Sequence, residues 1–313
     1  GSARLRAAAF DAGRRIEATL VASDLSDLAP RLAGSMDLDF KRDAGDSISA
    51  RAQQLRFGAW SAQAAHLEAT LASGTDPLLA AQLDLDGAAI GGQAVESLAV
   101  HAEGRRSAHV VTLSARADGQ ALDARFDGGW KADGWHAVVQ IFDAQAGGLA
   151  LRLREPAVVD AGNDRLALAR TCLTLGTGAA CIAVRYAAGV GTLDAELDAL
   201  SLGALRSLLP GTTLPQLEGR FDGHARASWD ASGPRDGDLD LRSDSGLARL
   251  PERPDLDLGY RNLFIRGQWQ DGSGKLAAGA DLTPDGRIDV AAGLSRDAAG
   301  VIGYDATLDL LVT

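Results

Sequence analysis

Residues 104–186 constrain the fold most, because apolar and polar side chains alternate there with almost no interruption. The alternation is clear at residues 111–115 and 122–126, and the turn between these runs contains Asp118-Gly119. A period of two residues, bounded by Gly and Asp, is typical of half-buried antiparallel strands. Because the turns are short and the strands follow one another, we expect an antiparallel meander rather than parallel coils.

The same pattern runs through most of the chain and predicts an all-β fold. Outside the central block, strands are predicted at residues 14–22, 36–40, 48–57, 60–72, 78–86, 95–102, 192–200, 217–221, 238–242, 263–270, 275–282, 287–294 and 301–312. The run at residues 59–72 is rich in alanine and is equally compatible with a helix.

One or two short helices interrupt the predicted strands. Leucines with helical spacing lie between a serine and a proline at residues 23–30 and again at residues 201–210. Serine favours the N-cap of a helix, and a helix ends before a proline. Each run leads into a Gly-punctuated strand, which predicts a weak repeat of about 23–200 and 201–313.

We expect residues 3–313 to form a single elongated segment. Gly1-Ser2 is typical of a cloning remnant, which suggests a fragment cut from a longer protein. Hydrophobic residues make up 46% of the chain, whereas aromatic residues make up only 5%. Small apolar side chains favour an unfilled interior, although a β-sandwich, a β-solenoid and an open trough all fit the alternation.

Charge and motifs exclude several functions. The formal net charge of −11 argues against partners that are nucleic acids or anionic lipid headgroups. The five histidines lack metal-ligand spacing, and the EF-hand-like start at Asp236, Asp238 and Asp240 lacks the later glycine and glutamate. Residues 272–275 lack the first glycine of a P-loop. The sequence therefore predicts no enzyme: it offers no catalytic residue, no metal ligand and no cofactor site.

The two cysteines are predicted to form a disulfide across a hairpin. A two-residue loop at Gly176-Thr177, with glycine first, suits a type II′ turn and places Cys172 opposite Cys181. At a non-hydrogen-bonded pair the Cα atoms lie about 4.5 Å apart, within the range of a disulfide. Such a bond implies an oxidising compartment, and two free buried thiols are the alternative. A bulge near Arg170 would place Leu166 and Leu168 on the same face as the later leucines.

Several motifs resemble the TamB family, the inner-membrane-anchored subunit of the translocation and assembly module of Gram-negative bacteria. They are Leu151-Arg-Leu-Arg-Glu-Pro-Ala, Leu166-Ala-Leu, Cys172-Leu, Cys181-Ile, Leu193, Leu197, the Leu-rich run 205–210 and Gly219-Arg-Phe-Asp-Gly. They resemble the middle of that protein, and the resemblance covers most of residues 23–245. The cysteine hairpin followed by the Leu-rich run is its most specific part.

The resemblance implies a periplasmic β-sheet that is folded along its length into an open trough, a β-taco, with an apolar lining. The family is similar to AsmA-like and bridge-like lipid transfer proteins. The implied function is to carry phospholipid acyl chains between the inner and outer membranes. The alternative is a chaperone-like scaffold that assembles outer-membrane proteins with a barrel partner of the TamA type.

The alternation predicts which side chains line such a groove, although ordinary core packing is an alternative role for each of them. The predicted positions are Leu38, Phe40, Leu113, Phe126, Val139, Ile141, Leu151, Leu153, Leu239, Leu241, Ile265, Val290 and Leu308.

Overall fold

The fold is known from a computed structural model. It describes residues 3–10, 15–27, 29, 31–90, 93–146, 148–201, 216–250, 253–296 and 302–312. These residues group into two compact units, Gly1–Gln145 and Ala146–Thr313.

The first unit is an antiparallel meander in which each strand pairs with the next along the chain. Its strands are β1 Ala3–Phe10, β2 Arg15–Ala22, β3 Leu32–Arg42, β4 Gly45–Phe57, β5 Trp60–Ala72, β6 Leu78–Ile90, β7 Gln93–Arg105, β8 Ala108–Ala117, β9 Gln120–Lys131 and β10 Gly134–Ala146. The alanine-rich run is strand β5, because its alternate side chains pair with apolar residues of β4 and β6.

The second unit is also built from antiparallel strands. They are β11 Leu149–Leu153, β12 Ala157–Ala161, β13 Arg165–Leu175, β14 Gly178–Ala187, β15 Val190–Ser201, β16 Gln216–Asp230, β17 Gly233–Leu250, β18 Arg253–Gln270, β19 Ser273–Thr283, β20 Gly286–Arg296 and β21 Ile302–Val312. Strands β11 and β12 both pair with β13, at its two ends. Pro156 lies between them and lacks the amide that a ladder needs, so the strand line is interrupted there.

These pairings confirm the prediction of an all-β antiparallel meander. The first predicted helix is a short 3-10 turn, Leu25–Asp27. The Asp24 carboxylate accepts a hydrogen bond from the Ser26 amide at 2.9 Å and caps this turn. The second predicted helix lies mostly outside the described residues, so the weak repeat stays a prediction. In the part of the chain that the structure describes, no helix has both the length and the apolar character needed to cross a bilayer.

Candidate functional site

A row of apolar side chains crosses nine strands of the first unit, from β2 to β10. Residues paired directly across strands point to the same face of a sheet. The register links Leu20, Leu38, Ala50, Leu67, Leu83, Val100, Leu113, Ala124 and Phe142 in one continuous row. Nine strands at the usual spacing extend roughly 38 Å across the sheet.

Two further apolar rows flank the first, one on each side. One consists of Ala18, Phe40, Ile48, Ala69, Ala81, Ala102, Val111, Phe126 and Val139, and the other of Ala22, Met36, Ala52, Ala65, Leu85, Leu98, Ala115, Leu122 and Ala144. We call these three rows the apolar face of the first unit. Five predicted groove residues lie on it, namely Leu38, Phe40, Leu113, Phe126 and Val139.

The large side chains of this face keep contact with solvent. Those that the structure describes are half-buried, except Val139, which is 8% exposed. The fully buried residues in these rows are otherwise alanines, such as Ala52 and Ala124. A sealed protein core would bury most of its large apolar side chains. The first unit therefore presents a broad apolar surface rather than a closed core.

The opposite face of the same strands is polar. The row beside the first one on that face begins with Thr19, Asp39, Ser49 and Glu68. Exposed ion pairs cover this face further along the sheet, including Arg116 with Asp123 at 2.9 Å. The two faces of the first unit therefore differ sharply in polarity.

Ile141 lies on this polar face, which corrects its predicted place beside Val139. The register pairs Val139 with Phe126 but Ile141 with Arg125, because a β-bulge at Gln140 adds one residue to β10. Val139 is 8% exposed, whereas Ile141 is 51% exposed. Phe142 then takes the position on the apolar face that alternation had assigned to Ile141.

A polar pair lies at the margin of the apolar face and was not singled out from the sequence. His109 is 8% exposed and lies between two glycines in register, Gly104 and Gly128. Its Nε2 accepts a hydrogen bond from Trp135 Nε1 at 2.9 Å, and its Nδ1 lies 3.1 Å from the carbonyl oxygen of Arg105. Since Nε2 accepts a hydrogen bond, Nδ1–H is the donor to the carbonyl oxygen of Arg105. The flanking glycines are the sequence signal that could have marked His109.

The predicted groove residues of the second unit also share one face. Register places Leu173, Ala180, Leu197, Gly223, Leu241, Ile265, Ala278, Val290 and Leu308 in one row. Leu153 pairs with Leu173, Leu151 pairs with Leu175, and Leu239 lies one row away. The side chain of Leu308 is outside the described part of the structure, so only its backbone position is assigned.

This face of the second unit contains buried clusters. Leu149, Leu175 and Leu200 form one cluster, against which Leu151 and Leu197 pack. Another cluster consists of Phe221, Tyr260 and Ala280. Phe221 and Leu200 are each only 1% exposed. Core packing therefore accounts for Leu151, one of the predicted groove positions.

Tyr260 adds a hydrogen-bonded anchor to the second cluster. Its hydroxyl donates to the carbonyl oxygen of Glu218 at 2.9 Å and lies 3.3 Å from Ser243 Oγ. A Cβ atom at Gly219 or Gly246 would come within 2.3 Å of this hydroxyl, so the phenol requires glycine at both positions. Desolvation by burial raises the pKa of Tyr260 above its ordinary value.

The predicted disulfide is present between Cys172 and Cys181, which pair directly across the β13–β14 hairpin. Gly176 has a φ angle of +58°, as the first central residue of a type II′ turn requires. The expected bulge is also confirmed, because the register shifts between Leu168 and Thr171. It keeps Leu166 and Leu168 on the same face as Leu173.

The disulfide lies on the polar face of the second unit. Arg170 Nη1 donates to Cys172 Sγ at 3.3 Å, and Arg170 Nη2 pairs with the carboxylate of Glu196. The hydrogen bond to Glu196 raises the pKa of Arg170, so the guanidinium stays charged.

Among the described residues, the acidic and histidine side chains form no cluster that could hold a metal ion. Asp238 pairs with His224 at 3.0 Å, and Asp240 pairs with Arg242 at 2.9 Å, on the polar face of β17. These carboxylates therefore lie on the solvated side of a strand, where they form ion pairs. The candidate functional site is therefore the apolar face of the first unit, whose large side chains are half-buried except Val139.

Comparison with known proteins gives one positive result. The family model described as TamB, N-terminal domain, matches residues 9–299. No curated protein and no solved structure matches significantly. The match extends beyond the motifs noted in the sequence, which cover residues 23–245, and includes most of the later strands. Because it spans well over half of the chain, this protein belongs to the TamB family.

Proposed function

We propose that the apolar face of the first unit binds phospholipid acyl chains and lets them move along the sheet. In this proposal the strands curl into an open trough in the periplasm. The full-length protein is anchored in the inner membrane of a Gram-negative bacterium and carries lipid between the two membranes. The observation that supports the proposal most is the set of three apolar rows across nine strands, in which the large side chains other than Val139 are half-buried.

Solvation energies support this proposal. Exposing an acyl chain to water costs about 0.8 kcal/mol per CH₂ group, on the order of 10 kcal/mol for a whole tail. A continuous apolar surface removes most of that barrier, because it is about as apolar as a bilayer interior. Rows of similar leucine, valine and alanine side chains offer many equivalent positions. The tail therefore binds weakly at each row and can move to the next without a deep trap.

The apolar rows and the acidic charge of the chain favour binding of a lipid tail over binding of a lipid headgroup. The three apolar rows suit a carrier of apolar ligands, and in the described part of the chain no acidic, histidine or cysteine cluster could hold a metal ion. The acidic chain, with a formal net charge of −11, disfavours direct binding of anionic headgroups. The headgroup therefore stays in solvent while the tail lies on the sheet.

A photo-crosslinking experiment in cells tests lipid binding. Val139 is buried and Leu151 packs in a cluster, so Leu113 is the better probe position because it is half-buried in the central row. A probe at Leu113 should capture phospholipid, whereas a probe at the adjacent Ser114, which pairs with Asp123 on the polar face, should not. Equal capture at both positions, or none at Leu113, would count against the proposal. Native mass spectrometry of the purified chain then identifies the bound lipid.

A chaperone-like role is the second candidate, and strand β1 is the observation that favours it. All residues of Ala3–Phe10 are exposed. An exposed strand can pair with a strand from an unfolded outer-membrane protein, in concert with a TamA-type barrel partner. Probes in β1 would then capture protein, and the Leu113 probe would capture no lipid.

A further inference from the structure

The two sulfur atoms of the Cys172–Cys181 disulfide have different surroundings. Cys172 is 5% exposed, whereas Cys181 is only partly buried. Cys181 borders a surface depression that is also lined by Arg185, Thr192 and Arg226. Both cysteines border a second depression. A thiolate must approach a disulfide sulfur directly, and Cys181 is the more accessible target because it is the more exposed of the two.

The charges beside the two sulfurs also differ. Arg170 donates a hydrogen bond from Nη1 to Cys172 Sγ at 3.3 Å, while its Nη2 pairs with Glu196. The register pairs Glu196 with Cys181 on the neighbouring strand, and Arg170 borders the depression at Cys181 as well. A neighbouring cation stabilises a thiolate, and the guanidinium of Arg170 donates its hydrogen bond to Cys172 Sγ. Cys172 is therefore the better leaving group of the two.

The bulge in β13 helps to fix this arrangement. It sets Ala169 and Arg170 opposite a single residue of β14, between the pairs Leu168–Val184 and Thr171–Ile182. The ion pair with Glu196 of β15 then holds the guanidinium over the disulfide. Three strands thus fix the position of one cation at one sulfur.

We propose that this disulfide is a site of thiol–disulfide exchange. Its reaction partner is a reductant with two thiols, such as a protein with a paired-cysteine motif. The reductant's thiolate attacks Cys181 Sγ, the Cys172–Cys181 bond breaks, and the electron pair leaves on Cys172 as a thiolate beside Arg170. The second thiol of the reductant loses a proton and attacks the mixed disulfide, which releases the Cys181 thiolate. The reductant becomes a disulfide, and both cysteines end reduced.

The hairpin keeps its structure in the reduced state. The loop that the disulfide closes is short, with a sequence separation of 9. The strand ladder continues on both sides of it, with Leu173 paired to Ala180 and Thr171 paired to Ile182. Exchange is therefore reversible and requires no unfolding, and it is independent of lipid binding at the first unit.

Peptide mapping tests the site of attack. The purified, oxidised protein is treated with excess glutathione and quenched with acid, and the glutathione adduct is located by mass spectrometry. We expect the adduct on Cys181 and a free thiol on Cys172. An adduct on Cys172, or reaction only after denaturation, would overturn the proposal.

Reduction kinetics test the role of Arg170. Arg170→Gln removes the charge beside Cys172 and should slow reduction by dithiothreitol about threefold or more, because a leaving thiol of higher pKa departs more slowly. Arg170→Lys should restore most of the rate. Arg226→Gln is the matched control, since Arg226 borders the same depression but pairs with Asp194. Equal rates for the Arg170→Gln and Arg226→Gln proteins would remove the assigned role of the cation.

Discussion

The two units of this protein share one pattern of alternating side chains but bury it differently. In the first unit, large residues of the apolar face such as Leu38 and Leu113 stay half-buried, and Val139 is the exception. In the second, Leu200 and Phe221 are each 1% exposed and belong to buried clusters. Alternation therefore decides which face a residue takes, whereas packing against other elements decides whether that face is sealed.

Bulges contribute to the difference. In β15 the register shifts between Leu197 and Leu200, where Ala199 takes a φ angle of +50°. This shift pairs Leu200 directly with Phe221. The Asp222 carboxylate accepts a hydrogen bond from the Ala199 amide at 2.8 Å and stabilises the bulge. Local backbone irregularity therefore brings large side chains together in the second unit.

The largest expected effect is loss of stability on truncation of Phe221. Phe221→Ala removes a fully buried ring and should cost about 3–5 kcal/mol of unfolding free energy. Phe126→Ala is the matched change on the half-buried face and should cost only about 1–2 kcal/mol. Urea denaturation of both proteins measures the difference, and hydrogen exchange locates it. Equal costs would mean that the apolar face of the first unit is as sealed as the second unit's clusters.

A smaller effect is expected from Tyr260→Phe. The change leaves the Glu218 carbonyl oxygen and Ser243 without the phenol hydroxyl, and should cost about 1–3 kcal/mol. Urea midpoints near neutral pH give the value. An unchanged midpoint would show that water replaces the hydroxyl and that solvent reaches the cluster around Tyr260.

The same residue gives the second unit a pH dependence. Burial raises the pKa of Tyr260 above its ordinary value of 10.0. As the pH rises, the unfolded chain therefore loses the phenol proton before the folded chain does. The contribution of Tyr260 to the unfolding free energy is complete below pH 10 and is lost as the pH rises through the folded-state pKa. The wild-type protein should lose stability more steeply than the Tyr260→Phe protein above that pH. Parallel curves would contradict this assignment.

On the first unit, a polar substitution should affect binding more than folding. Leu113→Gln should cost only about 1 kcal/mol, because Leu113 is half-buried. Binding of a fluorescent fatty acid should nevertheless weaken, since the change interrupts the central apolar row. Ser114→Gln, on the polar face, is the control and should leave binding unchanged. Loss of binding in both proteins would point to a nonspecific effect.

The sequence was sufficient for the hairpin disulfide, because spacing and turn chemistry are local. Gly176 fixed the turn, and the turn fixed the pairing of Cys172 with Cys181. The predicted position of Ile141 was wrong, because no glycine in the sequence marks the bulge at Gln140. One extra residue reversed the face of the residue that follows it.

The buried clusters could not be predicted from alternation. Leu113 and Leu151 have the same local pattern, yet only Leu151 packs against Leu149 and its neighbours. That distinction depends on contacts between residues far apart in the chain. The role of His109 was likewise hidden, because Trp135, its hydrogen-bond donor, lies 26 residues away.

The smallest expected effect concerns two turns of the first unit, the one between β5 and β6 and the one between β7 and β8. Asp76, in the turn before β6, accepts hydrogen bonds from the amide and the hydroxyl of Ser107, both at 2.8 Å. The backbone hydrogen bond, followed by the side-chain bond, lowers the pKa of Asp76 from its ordinary value of 3.8. Stability from this contact is therefore present above pH 3.8 and lost as the pH falls through the lower folded-state pKa.

Asp76→Ala should speed hydrogen exchange at the Ser107 amide without moving the urea midpoint, because the contact is local and solvated. An NMR titration of the wild-type protein should give a pKa for Asp76 below 3.8, and Ser107→Ala should return it toward that value. Asp118→Ala, in the turn between β8 and β9, is the control and should leave Ser107 exchange unchanged. If Asp76→Ala also left it unchanged, the turn would owe its order to its backbone bonds, such as that from Arg106 to Pro77 at 3.0 Å. The margin of the apolar face would then be held by the strand ladder rather than by side chains.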